Sequence, residues 1–140
     1  MAETWTPPAA GTPVWIQIPA TDVQRAKSFY STTFSWSFKP SAAGGPEKMA
    51  TFTFPDKGYT SLSGGITQVS PENHTKGGET VVVYFYVDDL GSCMDTIVKN
   101  GGKKCSDIEP EGEIGSYMIA EDTEGNRLGI WSLNKPASSA

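Results

Sequence analysis

The chain has 140 residues, 37% of them hydrophobic and 19% charged, with a formal net charge of −5. That length fits one domain, large enough to bury a core without a disulfide framework or a structural metal. The acidic balance and the scatter of Lys and Arg argue against a nucleic-acid partner and against a membrane-binding helix, and no apolar run approaches the ~20 residues of a membrane span.

Residues 1–12 are Pro-rich and aperiodic, and are expected to form an arm in which Trp5 docks on its own domain or on a second subunit. From Val14 to Ile18 the residues alternate and predict a strand that Pro19 ends. Thr21 or Asp22 then caps a helix whose apolar positions are Val23, Ala26, Phe29, Tyr30 and Phe34. Strands are expected from Trp36, over 49–54 and over 61–69, and a polar linker over 70–78. The lone histidine, His74, falls in that linker and is expected to be solvated.

The second half repeats the order. "TVVVYFYV" (80–87) is the most strand-like run, Asp88 or Asp89 caps a second helix, and Gly101 and Gly102 stop it. That helix should turn Leu90, Cys93, Met94, Ile97 and Val98 inward, with Cys93 as a small buried hydrophobe. "KKCSDIEP" predicts an edge strand, "EGEIG" a turn, and "SYMIAED" and "RLGIWSL" the last two strands about the tight turn "TEGN". Asp22 and Asp89 stand at equivalent places, an offset of 67 residues (89 − 22). The pattern therefore predicts an α+β fold: two βαβββ modules (13–69 and 79–134) in a single domain over 13–134. Together they form a curved eight-stranded sheet with helices on its convex side and an open concave cleft, and a disordered tail follows at 135–140.

Alternation also predicts what lines the cleft. If Val14, Ile16 and Ile18 lie under the helices, Trp15 and Gln17 face the cleft. In the second half Val81, Val83, Phe85 and Val87 lie beneath, so Val82, Tyr84 and Tyr86 face outward. In the last strand Leu128 and Ile130 lie beneath, leaving Arg127, Gly129 and Trp131 on the cleft side. Such a wall suits a planar, partly apolar molecule, with Trp15, Val82, Tyr86, Arg127, Gly129 and Trp131 as ligand-binding candidates. Gln17, Tyr84 and Glu113, the last in a Gly-rich turn near the expected cleft mouth, are the candidate proton or hydrogen-bond partners. With one histidine in the chain, no Ser-His-Asp arrangement is available.

"IPATDVQRAKSFYSTTFSW" and "GSYMIAEDTEGNRLGIW" resemble the vicinal oxygen chelate superfamily of glyoxalases, bleomycin-resistance proteins and extradiol dioxygenases, over about Pro13 to Leu133. The resemblance implies two βαβββ modules and frequent pairing, so a homodimer is expected. In metal-dependent members it also implies ligands at positions that here are Trp15, Val82, Gly129 and a place within "SLSGGIT". None of these side chains offers the imidazole or carboxylate that such a metal needs, so no metal and no cofactor is expected. The expected function is the binding of a small aromatic or polycyclic molecule in a metal-free cleft, with a cofactor-independent isomerisation, cyclisation or proton transfer as its catalytic form. The alternatives are a metal-dependent lyase or dioxygenase with relocated ligands, and a non-catalytic resistance protein that sequesters a drug. Two cysteines without metal-site spacing, and no leader segment, suggest a reducing, cytoplasmic location.

Overall fold

A computed structural model describes residues 9–10, 13–40, 48–55, 62–77 and 80–134. The arm with Trp5, apart from residues 9–10, and the tail at 135–140 lie outside the described residues. Chain order is β1 (Trp15–Ala20), α1 (Val23–Phe34), β2 (Ser37–Pro40), β3 (Met49–Thr53), β4 (Ser63–Gln68), a 3-10 turn at Pro71–Asn73, β5 (Tyr84–Tyr86), α2 (Leu90–Lys99), β6 (Lys103–Lys104), β7 (Glu109–Glu111), β8 (Gly115–Glu121) and β9 (Arg127–Leu133).

The first module forms a four-stranded sheet in the order β1-β4-β3-β2, with β1 parallel to β4. The second forms a five-stranded sheet in which β5 runs parallel to β9, β9 pairs β8, and β8 carries β6 and β7 on its other side. The two-module α+β architecture is the one the sequence pattern predicts. The single edge strand expected in "KKCSDIEP" is instead two short pieces, β6 and β7, which pair different stretches of β8.

Three local expectations are corrected. β1 does not stop at Pro19 but runs on to Ala20. It is an edge strand with a partner on one side only, where the missing proline N–H leaves no ladder bond unmade. In "TVVVYFYV" only Tyr84–Tyr86 is strand, because β5 can pair β9 only over Tyr84↔Gly129 to Tyr86↔Trp131. Val81, expected beneath a helix, is 91% exposed, and Val98 on α2 is also exposed.

Both helices begin as the repeat requires. The Asp22 carboxylate accepts from the Arg25 amide at 3.0 Å, and the Asp89 carboxylate accepts from the Ser92 amide at 2.8 Å. At its far end α1 is closed by Ser35 in the left-handed region (φ 61), whose N–H donates to the Ser31 carbonyl. Between helices and sheets lies one continuous core of Ile18, Phe29, Trp36, Phe52, Ile66, Met94, Ile97, Met118 and Ile130, among others. Trp36 is its aromatic centre, stacked on Tyr30 (4.5 Å between centroids) and Phe52 (4.3 Å) and meeting Phe85 of the second module edge-on.

Candidate functional site

The side chains facing away from this core follow the alternation of the strands. Phe85 packs into the core while its neighbours Tyr84 and Tyr86 are 47% and 60% exposed. Leu128, Ile130 and Ser132 of β9 are buried, and Arg127, Gly129 and Trp131 point the other way. On β1, Ile18 and Ala20 are buried, whereas Trp15 is 48% exposed and Gln17 is exposed too.

Large rings on this outer face rest on glycines. The Trp15 ring covers Gly65, where a methyl group would come within 2.9 Å of it. The Tyr84 ring covers Gly129, its direct partner in the ladder, and the Trp131 ring covers Gly115. The space above Gly129 is therefore taken by the tyrosine beside it. Tyr84 also meets Tyr117 edge-on at 5.7 Å, and Tyr86 lies 6.2 Å from Trp131, so the second module carries a band of linked rings.

A cavity of about 270 Å³ lies between the unpaired edge of β1 and the β5–β9 edge of the second sheet. Ile16, Ile18, Val83, Phe85 and Leu128 give it apolar walls, and Gln17, Thr75, Thr80, Asn126 and Arg127 bring polar groups. Of the predicted site residues, Gln17 and Arg127 line this cavity. Trp15, Tyr84, Gly129 and Trp131 are not among its lining residues: its apolar walls are the core-facing side chains of the strands, and these four turn to the opposite faces. Val82 and Tyr86 are likewise not among its lining residues. Glu113 is exposed in the β7–β8 turn and also lies outside the lining, its backbone carbonyl accepting from the Asn134 side-chain amide.

One end of the cavity is closed by a polar joint that the sequence does not announce. Glu124, in the β8–β9 turn, is 2% exposed. Its carboxylate accepts from the amides of Thr21 (3.0 Å) and Asp22 (3.1 Å), the Thr21 and Thr123 hydroxyls, and the Arg25 guanidinium (2.7 and 3.0 Å). Burial alone would push this carboxyl up, but the donors, Arg25 foremost, outweigh it and hold the group at about 2. The second module thus places an anion on the N-terminus of the first module's helix, where amides and helix dipole favour one. Nearby, the Tyr30 hydroxyl donates to Asp122 at 2.6 Å, and the Asn126 side-chain amide donates to the Pro19 carbonyl at 2.8 Å. Burial raises the Asp122 carboxyl, and the bonds from Tyr30 and Asn126 offset only part of that. Burial, with the Asp122 charge behind it, raises the Tyr30 phenol further above its usual value. His74 is not simply solvated: it is half-buried, with Nε2 2.6 Å from the Glu124 carbonyl oxygen. No local pattern could have revealed Glu124, since all its partners but Thr123 lie 99 to 103 residues earlier.

The positions implied as metal ligands do not fit one. Trp15, Val82 and Gly129 supply no donor side chain, and rings cover the sheet at Gly65 and Gly129. Among the described residues no three His, Cys, Asp or Glu side chains cluster as a metal set. The Cys93 thiol, pushed up to about 11 by burial, behaves as an inert core group. No helix among the described residues is long and apolar enough to cross a membrane.

The chain belongs to the glyoxalase/bleomycin resistance protein/dioxygenase superfamily, whose family model matches residues 12–130. A glyoxylase-like domain-containing protein of Didymella fabae is 41% identical over 123 residues, covering 82% of this chain and 88% of that protein. The protein CFP32 of Mycobacterium tuberculosis is 27% identical over 128 residues, and the match takes in 89% of this chain but 47% of CFP32, about half its length. In three dimensions the chain is similar to a family enzyme from Burkholderia phytofirmans, with a TM-score of 0.67 at 13% identity over 86% of this chain and 97% of that one. It is also similar to the fosfomycin resistance protein FosX of Listeria monocytogenes, with a TM-score of 0.64 at 10% identity over 93% and 96%. At these identities the structural likeness shows the fold.

Proposed function

We propose that the protein binds a small planar molecule of one or two rings in the cleft between its modules, and does so through stacking and hydrogen bonds without a metal. The observation that carries this is the cavity between the modules, apolar-walled with Gln17 and Arg127 as polar handles, together with large exposed rings on the outward faces of the strands that frame it: Trp15 and Tyr84 stay about half exposed although each packs against a glycine. Flat rings so placed offer π-faces to a ligand. At about 270 Å³ the cavity sits just below the ~300–1,000 Å³ usual for ligand pockets, which favours a small occupant.

Binding is supported better than proton transfer. Among the described residues lining the cavity there is no Asp, Glu, His, Cys or Lys to take a proton, and the Tyr30 hydroxyl is committed to Asp122. Tyr84 and Gln17 serve in this reading as hydrogen-bond partners for a ligand's polar edge. Glu113 has no part in it.

Calorimetric titration with 2-naphthamide, a neutral planar probe, tests the proposal. The wild type should bind it at micromolar to millimolar levels, and Trp15→Ala or Tyr84→Ala should each weaken binding by about 10-fold, the ~1.4 kcal/mol expected of a lost aromatic contact. No heat of binding, or binding untouched by both substitutions, would overturn it.

A further inference from the structure

We propose that the cavity between β1 and β9 selects ligands that carry a carboxylate or a comparable oxyanion, with Arg127 as the receiving group. This rests on the ligand-binding reading of the cleft and adds the chemical class of its occupant.

The chain has two arginines, Arg25 and Arg127, and the structure treats them in opposite ways. Arg25 is engaged from within, its guanidinium bonded to both oxygens of Glu124 and to the Thr21 hydroxyl. The Arg127 side chain makes no hydrogen bond or ion pair with any described residue, and its Nε is buried with no partner. A buried donor left unmade costs about 1–3 kcal/mol, which is the situation of a site awaiting its acceptor.

The surroundings make the same point. Among the described residues lining the cavity, Arg127 alone is charged, in a chain whose formal charge is −5. Its cross-strand partner is Glu121, directly opposite in the β8–β9 ladder, yet the two form no ion pair. The Glu121 carboxylate lies near Gly77 and the Cys105 thiol, and the Arg127 charge also reaches that thiol. Across the cavity stands Gln17, whose side-chain amide also has no partner among the described residues. A planar guanidinium and an amide N–H on opposite strands, between apolar walls, form a receptor for a flat oxyanion. The fork geometry of arginine matches a carboxylate's two oxygens, and the low-dielectric walls strengthen the pairing. Asn126 is not available for this, being bonded to the Pro19 carbonyl and to Asp122.

A matched pair of probes separates this proposal from the one beneath it: 2-naphthoate and 2-naphthamide share a ring system and differ in charge. Titrated at low salt, the wild type should bind the carboxylate at least ~10-fold more tightly than the amide, as charge-assisted hydrogen bonding predicts. The preference should shrink as ionic strength rises. In Arg127→Gln the two probes should bind within about 2-fold of one another, and Arg127→Lys should keep part of the preference because it keeps the charge but not the fork. Equal binding of both probes by the wild type would overturn the oxyanion site and leave the ligand cleft standing. Binding of neither would overturn both readings. A carboxylate preference that persists in Arg127→Gln would show that another group receives the anion. Should Arg127→Gln fail to fold, the wild-type comparison and Arg127→Lys still decide the matter.

Discussion

Glu124 shows how far one side chain can matter when burial and charge coincide. It accepts six hydrogen bonds, and its folded carboxyl lies at about 2 against an ordinary 4.5. A carboxyl lowered on folding stabilises the native state fully above the ordinary value and loses that contribution as the pH falls through the lowered one. Asp122, raised by burial, works in the opposite sense and is favoured by acid. Glu124→Gln should therefore cost about 2–3 kcal/mol at pH 7, below the full penalty of a broken buried pair because Arg25 is half exposed. Urea unfolding of the two proteins should show that difference at pH 7 and show it narrowing between pH 4.5 and 2. A gap that stays constant with pH would mean that Glu124 acts through packing alone. The residue was not legible in the sequence: "TEGN" reads as a turn, and nothing near it names Thr21 or Arg25 as its partners.

Among the elements, the helices were the most readable because their signals are local. Asp22 and Asp89 cap them, and Val23, Ala26, Phe29 and Tyr30 are buried in the period expected. The strands were readable in facing but not in extent. Whether Val81 joins a strand depends on whether β9 reaches it, and that is set 45 or more residues later in the chain. The outward residues were predicted with the right parity, yet their packing onto Gly65, Gly115 and Gly129 was hidden, because it needs the register of neighbouring strands. The end of α1 invites a test of its own. Ser35 holds a left-handed conformation (φ 61) in which its side chain is an encumbrance. Its N–H bond to Ser31 is made by the backbone, which any residue supplies. Ser35→Gly should raise stability by up to ~1 kcal/mol, read as a higher melting temperature, and a loss would show that the serine hydroxyl contributes more than its backbone costs.

Across the whole molecule, the two stretches that carry the family resemblance turn out to be the two halves of a joint. The tyrosine of "SFY" bonds Asp122, and the asparagine of "EGN" bonds the carbonyl of Pro19. Among the described residues no strand of one sheet pairs with a strand of the other, so this joint and the shared aromatic core hold the modules together. Tyr30→Phe removes one donor from a buried carboxylate and should cost about 1–3 kcal/mol. Because the core around Trp36 and Phe85 remains, unfolding should stay a single transition. Tryptophan fluorescence and far-ultraviolet circular dichroism, followed together against urea, should lose their native signals at one lower midpoint. Two separate midpoints would mean that the tyrosine, and not the core, couples the modules.

Glu124 also sets a clock on biosynthesis. A ribosome releases Arg25 99 residues before it releases the carboxylate that will hold it. The nascent first module must emerge with the entrance of its helix uncompensated, and only the β8–β9 turn, made about a hundred residues later, fastens it.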